Sequence, residues 1–247
     1  MVGVFKILEF KLDDWTILKN IFTNINEIID ELVIECNPEG LKFNALDRSH
    51  ICFFGCKISK KVFDEYFIDN ILYLYIDVNE FVKVLKRGKK SDNLKFKANS
   101  STFDIIFENT NTRKFSITQI DMSDNSRELP NMDFNIMFEF DFDSINNSIK
   151  DAELYSDRLT FTCDDNNLIL SCEGSFGNYH NNYLLDNIEG NGSATYSIDW
   201  LQKMFNTKLS SEKFKIKMGN DYPMLIQIEE NGINLNYLLA PRIDNGE

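Results

Sequence analysis

The stretch "GLKFNALDRSHICFFGCKI", residues 40–58, predicts two β-strands separated by a polar break. Before the break, Leu41, Phe43 and Ala45 alternate with polar residues, which is the period-two pattern of a strand with one buried face. After the break, a run rich in apolar residues over 51–58 predicts the second strand. The break itself contains one of the chain's two histidines beside a serine, so it is a candidate functional segment.

Length and composition predict a globular protein. The 247 residues suffice for one large domain or two of ordinary size. A hydrophobic content of 43% with 21 phenylalanines is enough to build hydrophobic cores and excludes a disordered chain. No apolar run approaches the ~18 residues of a membrane span, and charges come too early in the chain for a signal peptide. We therefore expect an intracellular protein without a membrane partner.

The five cysteines are Cys36, Cys52, Cys56, Cys163 and Cys172. Their odd number and the lack of any Cys-x-x-Cys pair predict reduced, mostly buried thiols rather than a disulfide framework. The pattern His50-x-Cys52-x3-Cys56 resembles part of a zinc site, but no fourth ligand at a suitable spacing accompanies it. Core packing is the favoured interpretation, and we expect no metal or other cofactor.

Apolar spacing predicts four helices, two in each half of the chain. The first runs from Asp14 to about Leu32, with an aspartate as its cap, because apolar residues recur there every three or four positions. The second begins at Asp77, which forms a capping-box-like start with Glu80. Gly88 is its predicted stop.

The second half repeats the order of the first. Its helices are predicted over 142–152 and 197–207, and each half reads strand, helix, several strands, helix and three closing strands. Residues 119–133 are polar and acidic and lack periodicity, as is typical of a surface linker. We therefore predict an α+β fold with an N-terminal domain over 1–118, a connector over 119–133 and a C-terminal domain over 134–247. Each domain is expected to carry two helices on antiparallel sheets.

The charge of the chain is unevenly distributed. A formal net charge of −13 argues against binding nucleic acid by bulk attraction. Basic and amide residues nevertheless follow the polar faces of the predicted helices, and carboxylates concentrate elsewhere. These residues are Lys19, Asn20, Lys83, Lys86, Arg87, Lys150, Lys203 and Lys208. A surface lined by all four helices would be neutral to basic, although lysines also coat ordinary solvated helices.

Four segments resemble the sliding clamps of the proliferating cell nuclear antigen family, in the family's order and at its separations. They are "GLKFNALDRSHICFF" at 40–54, "DVNEFVKVLKRGKKSD" at 77–92, "ELP" at 128–130 and "YLLAPRI" at 237–243. The resemblance covers nearly the whole chain. It implies a DNA-clamp fold, in which three two-domain subunits close around duplex DNA with helices lining the hole. It also implies a binding protein rather than an enzyme.

The resemblance further implies partners and positions. A sparse basic lining would let the ring slide, because each phosphate contact is weak and reads no sequence. DNA polymerase, flap nuclease, ligase and clamp loader are the implied partners, docked through a short Gln-x-x-aliphatic-x-x-aromatic-aromatic motif. The docking positions carried over from the family are Leu46, His50, Ile51, Leu129, Pro130, Pro223, Leu238, Ala240 and Pro241. The polar break thus corresponds to part of a docking surface.

Ring closure in the family pairs edge strands of neighbouring subunits. The candidate segments are 112–117 and 175–184, and the neighbour is either the same chain, giving a homotrimer, or a paralogue. The expected location is with the DNA, which means the nucleus in a eukaryote and the cytoplasm or nucleoid in an archaeon or virus.

Three other interpretations of the sequence compete with a sliding clamp. A hydrolase site at Asp47, Ser49 and His50 is disfavoured, because adjacent Ser and His side chains on an extended segment point to opposite faces. "CDDNN" at 163–167 lacks the glycine and distal glutamate of a calcium loop and predicts a hairpin turn. The third is a clamp-like scaffold, or a transcription-associated protein, that does not encircle DNA.

Overall fold

The computed structural model describes residues 7–121, 127–205 and 213–243. Within these ranges the chain forms four α-helices and antiparallel β-sheets, which confirms the predicted α+β class. The order of elements in each half is also the predicted one: a strand, a helix, several strands, a helix and three strands.

The elements of the first half are β1 (Leu8–Leu12), α1 (Thr16–Ile25), β2 (Glu31–Asn37), β3 (Gly40–Leu46), β4 (Cys52–Ser59), a 3-10 turn (Lys60–Val62), β5 (Glu65–Ile68), β6 (Leu72–Asp77), α2 (Val78–Leu85), β7 (Asn93–Ala98), β8 (Thr102–Glu108) and β9 (Thr112–Thr118). Those of the second half are β10 (Ile136–Asp141), α3 (Phe142–Glu153), β11 (Arg158–Asp164), β12 (Asn167–Gly174), β13 (Gly177–Leu184), β14 (Gly192–Ser197), α4 (Ile198–Phe205), β15 (Lys213–Met218), β16 (Met224–Glu230) and β17 (Ile233–Leu239).

The chain divides into two compact units. Unit 1 comprises the described residues of Met1–Arg48, Phe54–Leu129 and Glu229–Asn234. Unit 2 comprises those of Ser49–Phe53, Pro130–Ile228 and Leu235–Glu247. The domain boundaries proposed from the sequence, with a connector over 119–133, stay a prediction.

Each unit holds two helices against two groups of strands. In unit 1 the strand orders are β5-β1-β7-β8-β9 and β4-β3-β2-β6, and α1 packs against α2. In unit 2 the orders are β13-β12-β11-β14 and β10-β15-β16-β17, and α3 packs against α4. The strands that end a sheet include β9 in unit 1 and β13 in unit 2, each with one edge unpaired within its own sheet.

Aromatic side chains join the helices of unit 1 to both of its strand groups. Phe22 of α1 contacts Phe43 of β3, with ring centroids 5.4 Å apart, and Phe81 of α2, at 4.7 Å. Phe43 in turn lies 6.1 Å from Phe54, and Phe81 lies 5.8 Å from Phe103 of β8. Burial of each ring contributes about 2–3 kcal/mol. This core fixes which face of each helix is turned away from the sheets.

The first helix is shorter than predicted. It ends at Ile25 rather than near Leu32. Its N-cap is Trp15 and not the predicted aspartate, although Asp14 Oδ1 accepts a hydrogen bond from the Thr16 amide at 3.2 Å. Tight turns follow the helix, Ile29 stays buried in them, and Leu32 lies in β2 opposite Ile76. The prediction was wrong because a buried turn and a strand continued the helical spacing of apolar residues.

The second helix begins as predicted but ends earlier. Asp77 Oδ1 accepts a hydrogen bond from the Glu80 amide at 2.9 Å, and the helix stops at Leu85, before Gly88. A Cβ at Gly88 would lie 2.4 Å from the ring of Trp15 and 2.5 Å from that of Phe107. Gly88 is therefore required by close ring packing rather than by the helix end.

Two strands, β5 and β14, were not predicted. β5 has only four residues, and β14 has the sequence "GSATYS", in which small and hydroxyl side chains conceal the alternation. Ala194 and Tyr196 are nevertheless buried there, on the face that packs on the core. The predicted hairpin at 163–167 is present, with a two-residue turn between Asp164 and Asn167.

Candidate functional site

The helices of unit 1 expose their basic residues on the side turned away from the core. Lys83 and Lys86 are exposed, as is Arg87 just after α2, whereas Lys19 and Asn20 of α1 are half-buried. The Lys19 ammonium lies 5.7 Å from the centroid of the Trp15 ring, a cation–π contact that holds its stem against the helix. The five predicted residues of this unit therefore lie on the packed pair α1 and α2 or directly after α2.

Charge on this helix pair is only partly neutralised. Lys83 Nζ donates to Glu80 Oε1 at 2.7 Å, and that hydrogen bond raises the pKa of Lys83. Both side chains are more than half exposed, so the pair is easily exchanged for another anion. Lys86, Arg87, Lys89 and Lys90 extend the basic run into solvent.

A buried carboxylate organises the basic turn after α2. Asp92 accepts a hydrogen bond from the Lys89 amide at 2.7 Å and forms an ion pair with Arg113 of β9. Arg113 also donates to the Arg87 carbonyl at 2.8 Å, and Trp15 Nε1 donates to the Asp92 carbonyl at 2.9 Å. The Lys89 amide first, and the Arg113 charge second, hold the pKa of Asp92 below its usual value. No motif or spacing in the sequence predicts this network.

We predict that Asp92→Asn lowers the melting temperature by about 3–6 °C at pH 7. An Asp whose folded pKa is depressed stabilises the fold above its unfolded pKa of about 3.9, and that contribution is lost as pH falls through the folded pKa. Calorimetry should therefore find a constant deficit from pH 7 to 5 that shrinks below pH 4. Asp157→Asn, at a pair whose carboxylate side chain is 66% exposed, is the control and should shift the temperature less. An equal deficit at every pH would contradict the electrostatic role of Asp92.

The helices of unit 2 show a weaker form of the same bias. Lys150 of α3 is exposed, and Lys203 of α4 lies with its ammonium 4.5 Å from the centroid of the Trp200 ring. Gln202 Nε2 donates to Glu153 Oε2 at 2.7 Å, which links the two helices. Lys208 falls outside the described residues. That the helices of both units share one surface stays a prediction.

The end of β17 and the polar break are brought together in unit 2. The Ala240 amide donates to the Ile51 carbonyl at 2.9 Å, so the segment after β17 runs beside His50 and Ile51. His50 is exposed and has a φ of 59°, within a turn rather than an extended segment. Ile51 is 36% exposed, and Pro241 is half-buried.

Arg242, which is not among the predicted docking positions, fixes this C-terminal segment. The Arg242 amide donates to the Thr195 carbonyl of β14 at 2.7 Å, and its guanidinium donates to Asp157 Oδ2 at 2.6 Å. This hydrogen bond is the main reason that the pKa of Asp157 is lowered. The segment is therefore held at Ala240 and again at Arg242, with Pro241 presented between them.

The two further docking positions of unit 2 are Leu238, in β17, and Pro223, just before β16. Leu238 is half-buried on the face of β17 opposite to the buried Tyr237 and Leu239. Pro223 is half-buried before β16, next to Tyr222, whose carbonyl accepts a hydrogen bond from Tyr196 Oη at 2.7 Å.

The docking positions of unit 1 lie on the outward face of β3 and in the connector. Leu46 is half-buried, on the same face as Lys42 and Asn44. Leu129 is half-buried beside Glu128, whose carboxylate lies 2.6 Å from Lys42 Nζ. Pro130, which follows, is exposed and belongs to unit 2. That the positions of both units form a single pocket stays a prediction.

The alternative sites find little support in the geometry. Asp47 is buried whereas Ser49 and His50 are exposed in the turn. All five cysteines are buried thiols, and burial raises the pKa of Cys163 to about 12. No cluster of three or more His, Cys, Asp or Glu side chains within 7–121, 127–205 and 213–243 is placed to hold a metal. In the same ranges no helix is long and apolar enough to cross a membrane.

Sequence comparisons identify relatives over nearly the whole chain. Residues 7–135 match the family model of the proliferating cell nuclear antigen, N-terminal domain. The chain is 34% identical to the DNA polymerase sliding clamp of Methanothermobacter thermautotrophicus, covering 96% of this chain and 98% of that protein. It is 33% identical to the sliding clamp of Methanobrevibacter smithii, with the same coverage.

Solved structures share the fold. Proliferating cellular nuclear antigen from Entamoeba histolytica superposes with a TM-score of 0.88 at 18% identity, covering 96% of this chain and 99% of that one. The protein from Thermococcus kodakaraensis gives a TM-score of 0.89 at 20% identity, covering 95% and 100%. With a family model that spans 7–135 and near-full-length relatives above 30% identity, the chain belongs to the proliferating cell nuclear antigen family of sliding clamps.

Proposed function

We propose that this chain is a DNA polymerase sliding clamp that encircles duplex DNA without reading its sequence. The observation that carries the proposal is the 34% identity, over 96% of the chain, to a DNA polymerase sliding clamp. The helix pairs of both units add physical support, because their exposed sides carry lysines in a chain of net charge −13. A protein held on DNA by topology needs only weak phosphate contacts. In this role it binds and positions other proteins and catalyses no reaction.

We propose that three copies close the ring by head-to-tail pairing of β9 on one copy with β13 on the next. Both strands end their sheets, so each offers a row of backbone hydrogen-bonding groups. β13 also carries Leu184, which is 76% exposed, and follows Phe176, which is 94% exposed. Partner contacts along this edge would cover both apolar side chains. Head-to-tail pairing of two different edges gives a ring when the rotation from one copy to the next closes, and a paralogue with the same edges would fit equally.

We propose that the docking surface receives short motifs of DNA polymerase, flap nuclease, ligase and clamp loader. The segment over 238–243 and the connector offer half-buried Leu and Pro side chains, which suit aliphatic and aromatic anchors. The ordered backbone beside Ile51 and Ala240 supports this assignment, because a preformed surface loses less entropy on binding. The protein is expected to act wherever the DNA is.

Threading onto DNA tests the encircling function without a loader. The purified chain should bind a fluorescent duplex with open ends at low salt, as measured by anisotropy. Binding should disappear when both ends carry biotin and streptavidin, because a closed ring then has no end to pass over. A clamp-like scaffold that does not encircle DNA would bind both duplexes alike, or neither, and either result would overturn the proposal.

We predict that Lys83→Ala with Lys86→Ala weakens binding to the open-ended duplex by about three- to tenfold at low salt. Each lost phosphate contact should also reduce the slope of log K against log salt by about 0.9. The control is Lys60→Ala with Lys61→Ala, which removes two exposed lysines from the 3-10 turn. Unchanged affinity and slope in the helix variant would refute the basic-lining argument.

A further inference from the structure

The connector contacts unit 1 near its start and again at Glu128. Near its start, Gln119 Oε1 accepts a hydrogen bond from the Tyr75 amide at 2.9 Å, and the Ile120 amide donates to the Tyr75 carbonyl at 3.1 Å. The connector therefore begins along β6, the edge strand of its group. Near its end, Lys42 Nζ on β3 donates to Glu128 Oε1 at 2.6 Å, across 86 residues of chain.

The charges around Glu128 favour this contact. The Lys42 side chain is 28% exposed and directed outward from β3, whereas that of Glu128 is 78% exposed and approaches from the connector. The hydrogen bond from Lys42 is the main cause of a lowered Glu128 pKa, and the charge of Lys57 on β4 adds to it. Glu35 of β2 lies opposite Lys42 of β3, but its carboxylate already accepts a hydrogen bond from the side-chain amide of Asn37 at 2.8 Å. Glu128 thus lies in the field of two lysines from adjacent strands.

Packing around the ion pair is sparse. Arg127 and Pro130 are exposed on either side, and only Leu129 between them is half-buried. A cavity of 40 Å³ remains under Glu128, lined by residues of β2, β3 and β6 that include Val33 and Tyr73. This part of the connector spans the outward face of the strands instead of packing densely on it. The ion pair is therefore a specific contact between this part of the connector and β3, beside the half-buried Leu129.

We propose that Lys42 is a positioning residue for partner docking, because its ion pair with Glu128 is a latch that holds the connector end and the adjacent Leu129 in place. The inference rests on the proposed docking function, to which it adds a regulatory property. A pair this exposed to solvent is screened by salt, since the Debye length falls from about 30 Å at 0.01 M to about 3 Å at 1 M. Docking should accordingly weaken as salt rises, even for a motif peptide without charges.

Trypsin cleavage after Arg127 tests the latch independently of docking. In Lys42→Met, cleavage at this bond should be about threefold faster than in the wild type at low salt. Added salt should accelerate cleavage of the wild type and leave the cleavage rate of the variant unchanged. The cleavage rate of a reference peptide bond, measured at each salt concentration, corrects for the effect of salt on trypsin itself. Lys97→Met is the control, because it removes a lysine that forms a 2.8 Å pair with Glu9 on another sheet of unit 1, away from the connector. Equal cleavage rates in the wild type and Lys42→Met would overturn the latch.

The affinity for a motif peptide whose flanking residues carry no charge tests the positioning role of Lys42. Lys42→Met and Glu128→Gln should each weaken binding about threefold at low salt, and the double variant should weaken it no further, because either change alone already removes the ion pair. An affinity that these variants leave unchanged, in a wild type that binds, would overturn the positioning role. A wild type that does not bind the peptide would instead refute the docking function, and with it that role, while the cleavage rates still decide whether the latch exists.

Discussion

Leu184→Asp is expected to convert a trimer of this chain into monomers. Leu184 ends the edge strand β13 with 76% of its surface exposed, and in a closed ring it would be covered by the β9 edge of the next copy. A buried, unpaired carboxylate there should weaken each interface by about 100-fold or more. Native mass spectrometry at micromolar concentration should then find the 28.8 kDa chain alone.

The control for this variant is Phe67→Asp. Phe67 is 60% exposed on β5, the strand at the opposite end of the sheet from β9, so the same chemical change falls outside the proposed interface. Circular dichroism should show both variants folded, because neither side chain belongs to a core. If Leu184→Asp stays trimeric while folded, β13 does not close the ring.

The docking surface is expected to be sensitive to loss of its apolar side chains. Leu46→Ala and Pro241→Ala should each lower the affinity for a motif peptide by about tenfold, as measured by titration calorimetry. The double variant should lower it by about 100-fold. Leu46 provides apolar surface on the outward face of β3. Pro241 is presented between two backbone hydrogen bonds, so its replacement also loosens the segment that the partner meets.

Leu154→Ala is the matched control for docking. Leu154 is 75% exposed at the end of α3, so Leu154→Ala deletes the same side-chain atoms as Leu46→Ala at a solvent-accessible site away from the assigned positions. Its peptide affinity should equal that of the wild type. Equal affinities for Leu46→Ala, Pro241→Ala and the control would remove the docking assignment while leaving the ring unaffected.

Most of the helices and strands could be predicted from sequence patterns that span only a few residues. The alternation of Leu41, Phe43 and Ala45 correctly predicted β3, and Asp77 with Glu80 correctly predicted the start of α2. These elements are recognisable because their periodicity and caps lie within a few residues. The end of α1 was missed because Ile29 and Leu32 extend its apolar spacing into a turn and a strand. The tertiary structure buries these two residues at the same spacing of three to four positions that the buried face of a helix would show.

The contacts that fix the candidate sites were beyond reach of the sequence alone. Glu128 meets Lys42 across 86 residues, and Arg242 meets Asp157 across 85. Asp92 and Arg113 are closer in the chain, yet their pairing depends on the register of β8 with β9 and on the turn after α2. One sequence contains no pattern that pairs such charges, because any of its 26 Lys and Arg residues is chemically able to meet any carboxylate.

The mass of the unmodified assembly tests the central claim most directly. Native mass spectrometry of the purified chain at micromolar concentration should give three times 28.8 kDa, the mass of a closed ring made from one kind of subunit. A single species at 28.8 kDa, or at twice that mass, would contradict a self-sufficient ring and require a second kind of subunit to complete it.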